Sequence, residues 1–169
     1  MTMKRLLVAI MMLGAALATS CKKDEIKNTA TVDMAGEWAV TVDIVDETGE
    51  AIYGEDPYGY GTIVIATFNT AENRPDKMFV SDCENFWSFQ VPVNVDQKAR
   101  TFASDGAVDN VMYECKVTVT GGKITPGGAL TPSGMPADAI EFCAVFDDDD
   151  DGFIYHFHGY RYSGLTADE

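Results

Sequence analysis

The chain has 169 residues, with 12 Lys and Arg against 27 Asp and Glu, a net charge of −15, and 46% hydrophobic and 11% aromatic residues. So acidic a chain, its few basic residues scattered, repels phosphate backbones, which disfavours nucleic acid as a partner. The apolar fraction is too high for a disordered protein, and the length suits one domain able to bury roughly 70% of its unfolded surface.

Residues 1–20 read as an address. Lys4 and Arg5 precede an apolar run over 6–17, and small residues follow before Cys21. This pattern predicts a signal peptide, several residues too short to serve as a permanent membrane span. Ala18-Thr19-Ser20-Cys21 resembles a bacterial lipobox, with Ala in the place where Leu is usual. That resemblance implies that Cys21 is acylated, becomes the new amino terminus and anchors the protein to a membrane through several acyl chains. Lys22-Lys23-Asp24-Glu25 resembles the export tag of surface lipoproteins in Bacteroidota. It implies a surface-exposed protein on the cell outer membrane; read without the resemblance, it is a charged, solvated spacer. The chain thus divides into a signal peptide (1–20), a lipidated polar tether (21–34) and a folded domain (35–169).

From Gly36 onward the period is two. Trp38, Val40, Val42 and Ile44 share one face, with Glu37, Thr41 and Asp43 on the other, which predicts a half-buried strand. Further strand-like runs cover 62–69, 77–81, 86–95, 101–103, 112–120, 140–146 and 152–162. Turn chemistry separates them at Glu47-Thr48-Gly49, Asn73-Arg74-Pro75-Asp76, Asp105-Gly106, Gly121-Gly122 and Asp151-Gly152. Residues 46–60 and 120–139, rich in Gly and Pro, read as two long loops. No sustained helical period occurs. The expected class is all-β, with about eight antiparallel strands in a sandwich or an up-and-down barrel.

The barrel is favoured by Gly36-Glu37-Trp38, which resembles the Gly-x-Trp signature of lipocalins. The resemblance implies that Trp38 closes the narrow end of the barrel and that Arg161, near the end of the last strand, stacks over it. The middle motif and C-terminal helix of that family are missing. Taken with the lipobox, Ala35-Gly36-Glu37-Trp38, Phe86-Trp87-Ser88-Phe89 and Gly159-Tyr160-Arg161 resemble small acidic lipoproteins of Bacteroidota known as lipid-binding putative hydrolases. Spanning residues 35–163, the resemblance implies a lipocalin-like, calycin-type barrel and an apolar ligand.

Catalytic chemistry has little to work with. No Gly-x-Ser-x-Gly elbow occurs, the only histidines are His156 and His158, and Ser81, Ser88 and Ser104 stand in no fixed relation to them. Two residues apart on a strand, the histidines share a face. They can ligate zinc if Cys115, Cys143 or a neighbouring aspartate adds a third ligand; simple alternation turns them to solvent instead. Asp147, Asp149, Asp151 and Gly152 begin a calcium-loop spacing, but His158 stands where the closing Glu belongs, which leaves a solvated hairpin tip. Cys83, Cys115 and Cys143 allow one disulfide, Cys115 with Cys143 if the register agrees, or three buried thiols unreactive in acidic surroundings. No catalytic residue, metal ligand or cofactor is assigned from the sequence.

The aromatics are the best remaining clue. Trp38, Phe68, Trp87, Phe89, Phe142, Tyr155 and Phe157, with Phe146, fall on faces expected to point inward, where they either fill the barrel or line a pocket for a ligand. The expected function is an envelope-anchored lipoprotein that binds a small hydrophobic or lipid-like ligand in a β-barrel. One alternative is a non-catalytic accessory of an outer-membrane assembly that contacts glycan or protein through Tyr53, Tyr58 and Tyr60. The other is a hydrolase by family resemblance only.

Overall fold

The computed structural model describes residues 28–168; the signal peptide and Cys21 lie outside the described residues. Nine strands follow in chain order: β1 (Gly36–Val45), β2 (Ile63–Asn69), β3 (Lys77–Ser81), β4 (Gln90–Asp96), β5 (Thr101–Ala103), β6 (Ala107–Asp109), β7 (Lys116–Leu130), β8 (Pro136–Phe146) and β9 (Ile154–Arg161). Every pairing is antiparallel, β1 pairs with both β2 and β9, and β7 reaches β5 as well as β8. These contacts close eight strands into an up-and-down barrel and leave β6 as a short continuation of β5 on the first half of β7. At the break between β5 and β6, Ser104 keeps the seam shut: its N–H donates to Val119 O at 2.9 Å and its Oγ accepts from the Val119 N–H at 2.8 Å. Among the described residues the helical content is one 3₁₀ turn, Thr166–Asp168, and no helix is long and apolar enough to cross a membrane.

Alternation builds the interior. Trp38, Val40, Val42 and Ile44 of β1 are buried, as are Ile140, Phe142, Ala144 and Phe146 of β8 and Tyr155 and Phe157 of β9. Rings occupy the centre. Phe142 stacks on Phe157 at 4.7 Å and 3°, and Phe89 meets Phe146 at 5.5 Å and Phe157 at 5.9 Å, both edge-on. Between the two possibilities left by the sequence, these side chains fill the barrel. Each such ring contributes about 1.5–3 kcal/mol by burial, and well-oriented ring pairs add roughly 0.5–1.5 kcal/mol.

Four expectations change. Residues 86–89 lie in the β3–β4 loop, and β4 starts only at Gln90. Residues 120–139 are the end of β7 and the start of β8 rather than a long loop, because pairing survives past the glycines (Ile124↔Ile140, Thr125↔Ala139) through two register shifts. Gly121-Gly122 is accordingly a bulge within a strand: Gly121 has φ +65°, and a Cβ on Gly122 would lie 2.4 Å from the Phe102 ring. Phe68 faces outward, beside Phe79 at 5.6 Å, because the buried residues of β2 are Ile63, Ile65 and Thr67. Finally, the end of the supposed tether is packed: Thr31 and Met34 are fully buried under the barrel.

Candidate functional site

The two ends of the barrel are built differently. At the end where β1 begins and β9 finishes, Trp38 is buried and donates its Nε1–H to Thr67 Oγ1 at 2.9 Å, and Thr67 donates to Met34 O at 2.6 Å. The Arg161 guanidinium lies 4.3 Å from the centre of the Trp38 ring system and donates to Ala35 O at 2.9 Å and Asp138 Oδ2 at 3.3 Å. A Cβ on Gly36 would sit 2.1 Å from Arg161 Nη1, so glycine two residues before the tryptophan is the space in which the arginine lies. The Trp38 indole N–H and the Thr67 hydroxyl are both partnered here, and Met34 seals the end. This end is closed.

Loops cover the other end: 46–62, 82–89, 110–115 and 147–153 all emerge there from the antiparallel order. Phe86 and Trp87 lean over the interior rings. Phe86 meets Tyr155 at 5.2 Å and Phe157 at 5.4 Å, and Trp87 stacks on Phe146 at 4.8 Å and 17°. Tyr58 adds contacts to Phe86 and Tyr155 at 6.4 Å each. The aromatic surface then runs outward into solvent through Tyr60, 5.6 Å from Phe86, and Tyr53, 5.6 Å from Phe153, with Met112 and Tyr113 exposed nearby.

Aspartates, not apolar contacts, shape these loops. Asp82 is fully buried and accepts the backbone N–H groups of Glu84, Phe86, Trp87, Ser88 and Phe89, at 2.6–3.1 Å. With Cys83, Glu84 and Ser88 at positive φ, the loop wraps around one carboxylate. Asp148 ties three loops together by accepting from Trp87 Nε1, Tyr113 Oη and Cys115 Sγ at 3.1, 2.7 and 3.2 Å. Burial opposes ionisation of Asp148, yet these three hydrogen bonds prevail and hold its carboxyl below the ordinary 3.8. Asp149 accepts from Tyr155 Oη at 3.0 Å and from the Phe153 N–H at 2.9 Å. Two aspartates of the run thought to be a solvated tip are therefore fasteners.

The seven aromatics singled out from the sequence do not form one site. Phe89, Phe142, Tyr155 and Phe157 lie in the interior, Trp38 belongs to the closed end, Trp87 lies on a loop at the open end, and Phe68 is on the outer wall. Phe86, Asp82 and Asp148 complete the loop end and were not assigned there from the sequence, and Tyr58, expected only as a glycan or protein contact, joins them. The positive-φ loop leaves no periodic signal, although the Phe86-Trp87 pair itself was visible.

A model of the family described as lipid-binding putative hydrolase matches residues 23–166. The chain belongs to this family. No curated protein matches it at a significant level. The family's ligand class agrees with an apolar loop end on a β-barrel. The hydrolase half of its description finds its candidate groups dispersed: Ser81 Oγ accepts from the Cys83 N–H, Ser104 is bonded to Val119, and His158 Nε2 pairs with Asp43 Oδ2 at 2.9 Å on the outer wall. His156 stands beside it, held below its ordinary 6.5 by burial and by its neighbour His158. Cys83, Cys115 and Cys143 are free. Cys143 lies opposite Thr120, not beside Cys115, so the register does not offer the disulfide. Burial and the Asp148 contact push the Cys115 thiol up to about 11.

Proposed function

We propose that the protein is an envelope lipoprotein, anchored through Cys21 on the outer membrane, that holds a small hydrophobic or lipid-like molecule at the loop end of its barrel. The observation that carries this reading is that Phe86 and Trp87 cover the interior rings from a loop, not from a strand. Lifting that loop exposes Phe146, Tyr155 and Phe157 as an apolar floor, without breaking any strand pairing. An acyl chain laid between that floor and the lifted Phe86 and Trp87 gains about 0.8 kcal/mol per buried methylene. Binding by burial needs no reacting group. The exposed Tyr53 and Tyr60 remain at the rim, where they can meet a polar headgroup. Membership of a lipid-binding family supports the ligand class, the lipobox resemblance supports the anchor, and the net charge of −15 argues against nucleic acid.

The test is to express the full chain, extract it under denaturing conditions and identify co-purified lipids by mass spectrometry, then titrate oleate into the lipid-free protein. A stoichiometric apolar molecule that disappears in a folded Trp87→Glu variant supports the reading. Lipid-free protein that ignores oleate overturns it, and glycan binding lost on replacing Tyr53, Tyr58 and Tyr60 then identifies an interaction module.

A further inference from the structure

We infer that Asp43, His156 and His158 form a three-ligand site for a divalent cation of the zinc class on the outer wall of the barrel, remote from the loop-end aromatics. Alternation along β9 turns both imidazoles outward, while Tyr155 and Phe157 point in. On β1, Asp43 is the register partner of His156, and Thr41 that of His158. The rings are stacked at 5.0 Å and 24°, His158 Nε2 lies 2.9 Å from Asp43 Oδ2, and one ligand atom from each of the three residues falls within 4.8 Å of the others. Ligand atoms on a tetrahedral zinc stand roughly 3.3 Å apart, given bonds of about 2.0–2.1 Å, so small side-chain rotations close the set.

The surroundings suit a cation better than a plain ion pair. An outward residue on a sheet face is normally solvated, but the Asp43 side chain is only 10% exposed. Its Oδ1 accepts the Asp56 N–H at 2.8 Å, which orients the carboxylate and directs Oδ2 at the imidazoles. This is the supporting hydrogen bond that fixed metal ligands commonly have. Across the other edge, β8 places Cys143 opposite His156 and Glu141 opposite His158. Two nitrogens and one carboxylate select zinc-class cations over calcium or magnesium, which prefer all-oxygen shells. Three protein ligands leave a fourth position, and His158 and Glu141 also line an outer groove of about 400 Å³ with Lys123 and Tyr160.

Cobalt(II) titrated into the full chain reads the site directly. We expect one ion per chain with the visible absorption of four-coordinate cobalt, displaced by zinc. The His156→Gln/His158→Gln variant should bind about 100-fold more weakly or worse, since altering even the partners of metal ligands costs 10–100-fold. Asp43→Asn should weaken binding as well, and Cys115→Ser, which dismantles the separate Cys115, Asp147 and Asp148 group, should leave it unchanged. Should Asp43→Asn fail to fold, the double histidine variant decides, because both side chains lie on the outer wall. No stoichiometric binding to the wild-type chain, or binding that survives loss of both histidines, overturns the inference.

Discussion

The two ends of this barrel are held by opposite means. At the closed end one ring, Trp38, is fixed by Thr67, Arg161 and Met34, which come from three parts of the chain. At the loop end, Phe86 and Trp87 rest on interior rings, but their backbone is arranged by the single carboxylate of Asp82. A ring locked by strands is structural; a ring held over a core by a loop can lift to admit a ligand. On the proposed reading, that difference gives stability to one end and binding to the other, and substitutions can break it.

The largest loss is expected from Trp38→Ala, about 3–5 kcal/mol in chemical denaturation, because a buried ring system disappears and Thr67 loses its donor. Asp82→Ala should cost about 2–3 kcal/mol, as five backbone N–H groups lose one charged acceptor, and should abolish oleate binding by scattering Phe86 and Trp87. Trp87→Ala should cost only about 1–2 kcal/mol, since the ring is half-buried, yet weaken oleate binding at least as much as Asp82→Ala does.

Acid should loosen both ends. The hydrogen bonds from Ser133 and Ser163 hold the Asp168 carboxyl well below 3.8, and Asp148 is held below it at the loop end. For carboxyls depressed on folding, the stabilisation is present above the unfolded value near 4 and is lost as pH falls through the folded value. Melting temperature should therefore fall between pH 5 and pH 2, less steeply in an Asp148→Asn/Asp168→Asn variant. Smallest of all, Phe68→Ser on the outer wall should change stability by about 1 kcal/mol at most and leave oleate binding intact.

Much of the strand framework was legible because alternation is a local signal. β1, with Trp38, Val40, Val42 and Ile44 inward, follows the pattern of its sequence, and the stacking of Arg161 on Trp38 follows from the lipocalin resemblance. Gly36 explains why that resemblance works: removing a Cβ makes the cavity that the guanidinium occupies. Breaker residues misled where pairing partners overrode them, as in the Gly121-Gly122 bulge, because the hydrogen bonds to β8 are made by residues about twenty positions away. The loop end was hidden for a related reason. Asp82 looks like any surface aspartate until the chain folds back on it, and Asp43 looks solvent-facing until Asp56 and His158 cover it.

The central claim, that ligand is taken at the loop end while the closed end stays fixed, can be read from the only two tryptophans of the chain. In a ¹⁵N-labelled sample titrated with oleate, the indole N–H of Trp87, now donated to Asp148, should shift progressively to saturation, while that of Trp38, donated to Thr67, holds its position. A shift of Trp38 without Trp87, or none at either indole, would contradict the account.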